Sequence, residues 1–202
     1  MEKVNPYLMD AGELTDEVLI GRSLDRPVKI SRSWAMPNAE TFSIPPIKAL
    51  LARYDMGDCI IDPFARSSSY APIWSNDLSP STGARFHLHA EEFADLLIAK
   101  KITASFVLFD PPYSMNQIKE VYQSVGREWG KDDAQQMSRW ARLRTKLGLL
   151  VKVGGIAVSF GWSTTGFGRV RDFLPIEYLI VNHGSGHHDT LCTVERKTHE
   201  NH

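Results

Sequence analysis

The sequence predicts an α/β fold built on a mostly parallel sheet, and three observations carry that expectation. Short, mostly apolar runs recur along the chain, helical patterns separate several of them, and the last two runs are joined by a loop too short for a crossover. With 202 residues, 43% of them hydrophobic, the chain has the size and apolar content of one compact domain.

The elements follow in order. Residues Met1 to Arg32 are polar and mixed and read as an arm, with one short helical candidate at Glu13 to Ser23 that Pro27 ends. In SIPPIKALLARY, Ile47, Leu50, Leu51 and Tyr54 share one helical face, and Pro46 suits the first turn. Strand-like runs lie at Asp58 to Asp62, Ala71 to Asn76, Ser105 to Phe109, Ile156 to Phe160, Tyr178 to Asn182 and Thr190 to Val194. Helical patterns occupy Ala90 to Lys100 and Asp133 to Val151. The loop His183 to Asp189 makes the last two strands an antiparallel hairpin. There is no internal repeat.

Composition narrows the function classes. No charged start precedes an apolar run with a small-residue cleavage site, and no stretch nears 18 apolar residues, so neither a signal peptide nor a membrane span is expected. Cys59 and Cys192 fall in separate strand-like runs, which suits buried free thiols in a reducing cytoplasm. A net charge of -1 does not suit a protein that coats nucleic acid, so any such contact is a local patch.

In an open α/β sheet, ligands bind beyond the carboxyl ends of the strands, so the polar residues that end each apolar run mark the candidate site. Asp62 closes IID, Asp77 closes WSND and Asp110 closes VLFD. Each alone suits a helix cap or a turn. The segment Asp110, Pro111, Pro112, Tyr113 carries legible chemistry. An exocyclic amino nitrogen on a base is a poor nucleophile because its lone pair is delocalised into the ring. Hydrogen bonds from its two protons to the Asp110 carboxylate and the Pro111 carbonyl would draw it toward an attacking geometry. The prolines fix the backbone, and Tyr113 offers a flat face for an extruded base.

IIDPF at Ile60 to Phe64, NDLSP at Asn76 to Pro80, LFDPPYS at Leu108 to Ser114 and GGIAVSFGW at Gly154 to Trp162, in that order, resemble the class I S-adenosylmethionine-dependent amino-methyltransferases of the DPPY type. The match spans about Phe42 to Lys197. The resemblance implies a Rossmann-like methyltransferase domain over 42–202, with a mostly parallel seven-stranded sheet and a C-terminal antiparallel hairpin. An arm over 1–41 precedes it, and a short substrate-contacting insertion lies at about 115–150. Carried over by position, Asp62 and Phe64 lie by the methionine end of S-adenosylmethionine, and Asp77 accepts from its ribose. Phe42, Ser43 and Ile44 line the site from the preceding helix, and Asp110 to Tyr113 hold the target base. His89 stands where related enzymes show an acid toward the cofactor's adenine. Pro63, Asn76, Leu78 and Ala90 flank these positions and complete the cofactor-binding set.

The implied activity is methylation of N6 of adenine in DNA by direct in-line transfer with base flipping, with no metal. No cysteine follows a proline, which argues against carbon-5 cytosine chemistry. N4 of cytosine, N2 of guanine in RNA, and a decayed methyltransferase serving as a binding module stay open. Two departures matter. Where the family has a Gly-rich DPFxGxG loop this chain reads DPFARSSSY, and the short spacing from Asp62 to Asp77 leaves room only for a very short or irregular crossover helix. The chain thus resembles a compact phage or mobile-element subgroup.

Three further segments complete the reading. NHGSGHHDTLC crowds His183, His187, His188, Asp189 and Cys192, but it lacks a CxxC or HxxxH pair and reads as a Gly-rich turn, with His183 or His188 placed to face the target base opposite Tyr113. GWSTTGFG suits a mobile loop at the site's mouth, with Trp162 packed. Arg127, Lys131, Arg139, Arg142, Arg144, Lys146 and Lys152 form a basic cluster expected to hold the DNA backbone, with Trp129 or Tyr122 filling the gap left by the flipped base.

Overall fold

The computed structural model describes residues 18–23, 26–55, 57, 59–68, 70, 71, 73–112, 126 and 136–199. One sheet runs through them. Its strands are β1 (Val18–Ser23), β2 (Arg26–Trp34), β3 (Ile60–Asp62), β4 (Trp74–Ser75), β5 (Ala104–Phe109), β6 (Val151–Gly161), β7 (Phe173–Asn182) and β8 (Thr190–Lys197). Among the described residues three α-helices flank it: α1 (Pro45–Tyr54), α2 (Ala90–Ala99) and α3 (Gln136–Leu150).

Seven strands lie in the order β2-β7-β8-β6-β5-β3-β4, and β1 adds an eighth beside β2. Pairings β2·β7, β5·β6, β3·β5 and β3·β4 are parallel. β8 runs antiparallel between β6 and β7, so the C-terminal hairpin is inserted into the sheet. This is a single-sheet, mostly parallel α/β architecture with an antiparallel C-terminal hairpin.

The core explains the layers. Along β5, Phe106 and Leu108 face α1, where they meet Ile47, Leu50 and Leu51, while Val107 and Phe109 face α2 and α3 and meet Phe93, Leu97, Leu143 and Leu147. All six β5 residues are buried, as expected of a parallel strand covered on both faces. α1 begins on two prolines at its first turn, and its buried residues sit on the face that the sequence marks. Gly155 is required by close approach, since a Cβ there would come within 2.8 Å of the Lys152 carbonyl oxygen.

Three expectations are corrected. Val18–Ser23 of the expected N-terminal helix is a strand, paired antiparallel with β2 from Val18↔Ser31 to Ser23↔Arg26. Its partner β2 is tied into the sheet by parallel pairing with β7, so Val18–Ser23 and Arg26–Trp34 belong to the sheet. The run Ala71 to Asn76 supplies only the two-residue β4, extended by a parallel bridge between Asn76 and Phe86. Among the described residues no helix joins β3 to β4, which the short spacing anticipates.

Candidate active site

β3, β4 and β5 end side by side, and their acids gather there. Asp62 is fully buried. Its Oδ1 accepts the Phe64 amide at 3.1 Å, whereas Oδ2 has no hydrogen-bond partner. Burial pushes its pKa up to about 8, against the Phe64 hydrogen bond, and the charges of Asp110 and Asp77 add to the rise while Arg66 opposes it. Asp110, 7% exposed, follows β5 directly. Burial raises its pKa to about 6, opposed by a hydrogen bond from the Thr41 hydroxyl and by the Arg66 charge. Pro111 is buried and Pro112 half-buried; Tyr113 lies outside the described residues.

The loop from β3 to β4 is organised by backbone hydrogen bonds to side chains. Asn76, buried, donates Nδ2 to the Pro63 and Leu88 carbonyls and accepts the Leu88 amide, fixing Pro63 beneath the site. Asp77 is half-buried, and its Oδ1 accepts the Ser79 amide at 2.8 Å and its Oδ2 the Arg66 amide at 3.1 Å. Phe64 packs edge-on against Phe109 and Trp140. Leu78 is half-buried in the following turn.

The residues carried over from the preceding helix divide. Thr41–Ser43 form a single 3-10 turn ahead of α1. Phe42 packs on Phe160 at 5.2 Å and on Tyr70 at 6.1 Å, and Ser43 is exposed, hydrogen-bonded to Glu40 and Asn38. Ile44 is buried in the core beside α1. His89 is the N-cap of α2, where its side chain accepts the Glu92 amide and Glu92 reaches back to the His89 amide; Ala90 opens the helix. Thr41 and Arg66 were missed from the sequence. Thr41 precedes the FSI segment by one residue, and Arg66 is the departure from the Gly-rich loop, so both had a signal.

The hairpin loop is structural at His183. That buried ring is hydrogen-bonded through Nδ1 to the Ala35 carbonyl at 2.7 Å and through Nε2 to the Thr190 hydroxyl at 2.9 Å, which leaves neither nitrogen for a base or a metal. His188 is exposed, its ring 4.3 Å from that of Trp162, which is itself 48% exposed rather than packed away. No three His, Cys, Asp or Glu side chains converge on a metal position among the described residues. No described helix is long and apolar enough to cross a membrane.

Three members of the basic cluster, Arg142, Arg144 and Lys146, make contacts within the protein. Arg142 pairs with Glu91 at 3.3 Å, and Lys146 with Asp95 at 2.7 Å, so these residues of α3 bind α2. Arg144 turns inward, with its guanidinium 5.0 Å from the Phe109 ring centroid and Nε buried without a hydrogen bond. Burial lowers its pKa, the Arg171 charge lowers it further, and that of buried Glu195 opposes the shift. Arg127, Lys131, Tyr122, Trp129 and the Arg139 side chain lie outside the described residues.

No family model and no curated protein matches the sequence. Among solved structures the chain is similar to TrmN from Thermus thermophilus, at 17% identity over 76% of this chain and 49% of that one, with a TM-score of 0.46. The chain thus spans about half the length of that protein.

Proposed function

We propose that this chain transfers a methyl group from S-adenosylmethionine to an exocyclic amino nitrogen of a nucleic-acid base, N6 of adenine in DNA, by direct in-line transfer to a flipped base. The observation that carries the reading is Asp110, a buried carboxyl at the end of a central parallel strand, followed by two prolines and beside a second buried carboxyl with an unpartnered oxygen. Asp62, Asp77 and Asp110 stand at the ends of neighbouring strands, and S-adenosylmethionine, with two positive groups against one carboxylate, suits a site of acids and polar acceptors. When bound, it supplies an electrophilic methyl on a sulfonium. Asp62 and Asp77 would hold it, with Pro63, Phe64, Asn76, Leu78 and Phe42 as walls. Ser43, Ile44, His89 and Ala90 would complete the cofactor-binding set from the turn before α1 and the start of α2.

Asp110 then acts on the base. Its carboxylate accepts one amino proton and the Pro111 carbonyl the other, which frees the nitrogen lone pair from the ring. The carboxylate is also placed to take the proton that the methylated nitrogen sheds. Tyr113 would give the base a flat face, and the phosphate contacts fall to Arg127 and Lys131 of the 115–135 part of the expected insertion, because α3 spends Arg142 and Lys146 on α2.

A second reading has one observation in its favour. Both Asp77 oxygens already accept amides of the chain's own backbone, as a decayed methyltransferase kept as a binding module would permit. The test is incubation with methyl-labelled cofactor and separate DNA and RNA pools, followed by nucleoside analysis. N6-methyladenine in DNA is expected. Label on N4 of cytosine or in RNA would replace the substrate, and no label together with no thermal stabilisation by millimolar cofactor would establish the decayed reading.

A further inference from the structure

Arg66 stands at the first glycine position of the DPFxGxG pattern, and its backbone keeps the conformation that glycine would take, with φ at +48°. An L side chain rarely adopts this region, and residues held there despite a Cβ cluster at functional sites. The surroundings hold it in place: the Ala65 amide donates to the Asn76 carbonyl at 2.8 Å, and the Arg66 amide to Asp77 Oδ2. From there Nη1 donates to the Ala39 carbonyl at 2.9 Å, two residues before Thr41. The Thr41 hydroxyl is in turn bonded to Asp110.

We infer that Arg66 is a positioning residue for the candidate site, its guanidinium holding through the Ala39 carbonyl the segment that places Thr41 against Asp110. The inference rests on the reading of Asp110 as the acceptor of the amino proton, since only the ionised form accepts through both oxygens. The groups around Asp110 define the balance. Thr41 bonds it from the turn before α1, Asp62 approaches from β3, Arg66 from the β3–β4 loop, and Cys192 from β8 with a thiol that burial keeps neutral. Among the described residues, Arg66 is a cation whose charge acts on both Asp110 and Asp62. A glycine would relax the backbone but remove the guanidinium that bonds Ala39.

The substitutions separate backbone from side chain. Arg66→Gly relieves the left-handed conformation and removes the guanidinium, Arg66→Ala removes the guanidinium alone, and Arg66→Lys keeps a charge. The measurement is carboxyl-carbon NMR titration of Asp110 in the full chain without ligand, its resonance assigned by loss in Asp110→Asn, with a thermal midpoint for each variant. Arg66→Ala and Arg66→Gly are expected to raise the Asp110 titration midpoint by roughly half a unit to one unit, and Arg66→Lys to keep most of the native value. Arg66→Gly melts no lower than the native chain. In an active preparation the acid limb of kcat/KM moves with the NMR midpoint. An unchanged Asp110 midpoint in Arg66→Ala and Arg66→Gly overturns the inference, and a lower melting point in Arg66→Gly with unaltered titration makes Arg66 a structural clip and overturns it as well. Absence of methyl transfer in the native chain would sink the proposed function while the titration still decided the role of Arg66.

Discussion

Replacing Asp62 by asparagine is expected to stabilise the protein by an amount that grows with pH. The folded carboxyl keeps its proton to about pH 8, whereas an unperturbed aspartate titrates at 3.8. Below about pH 4 the group is protonated in both states and burial is unopposed. Above that the unfolded chain loses its proton first, so native stability falls by about 1.4 kcal/mol per pH unit until the folded group also ionises near pH 8. By pH 7 the loss is about three units' worth, roughly 4 kcal/mol as an upper bound, since the unfolded chain is not fully extended. Asparagine keeps Oδ1 for the Phe64 amide, and its Nδ2 is left where Oδ2 already lacked a partner, a cost of about 1–3 kcal/mol that does not vary with pH. The variant is therefore equal to or weaker than the native chain at pH 5 and stronger at pH 8. Urea unfolding of both proteins at pH 5, 6, 7 and 8 reads the difference, in which the contribution of Asp110 largely cancels. A difference that stays flat across this range would mean that Asp62 is ionised or solvated in the native state, and would refute the argument.

The other expectations concern chemistry and packing. Asp110→Ala should abolish methyl transfer while cofactor affinity stays within a few fold, because the carboxylate meets the base; on the order of a hundredfold or more in rate is at stake, and a retained rate in single-turnover assays would remove Asp110 from the mechanism. Asp77→Ala should weaken cofactor binding by calorimetry, leave nucleic-acid binding nearly unchanged, and lower stability by about 1–2 kcal/mol, since the Arg66 and Ser79 amides lose their acceptors. Arg144→Gln should lower the urea midpoint by an amount corresponding to about 2 kcal/mol and leave the salt dependence of nucleic-acid binding unaltered, because the guanidinium covers Phe109 and balances buried Glu195 instead of facing phosphate. A shallower salt slope would return Arg144 to the binding surface.

The placement of the candidate acids at strand ends was legible because it depends on short-range order. Apolar runs that end in acids become strands whose carboxyl ends carry acids, and Asp62, Asp77 and Asp110 follow from that rule. Pro45 and Pro46 fix where α1 starts, and the brevity of His183 to Asp189 fixes β7 and β8 as an antiparallel pair. These inferences need only local sterics, periodicity and loop length.

Only the tertiary structure decided the rest, and in each case the deciding contact lies far along the chain. VLIGRS has no strong alternation, and it is a strand because β2 beside it pairs with β7, some 150 residues away. The arginines of α3 look alike in sequence, yet Arg142 meets an acid on α2 while Arg144 turns under the helix to Phe109. His183 lost its candidate role to a carbonyl at Ala35, and Arg66 acquired one through Ala39 and Asp77. Sequence spacing specifies which side chains share an element's face. Which partner that face meets depends on closing long loops between elements, a cost repaid only when the whole core assembles.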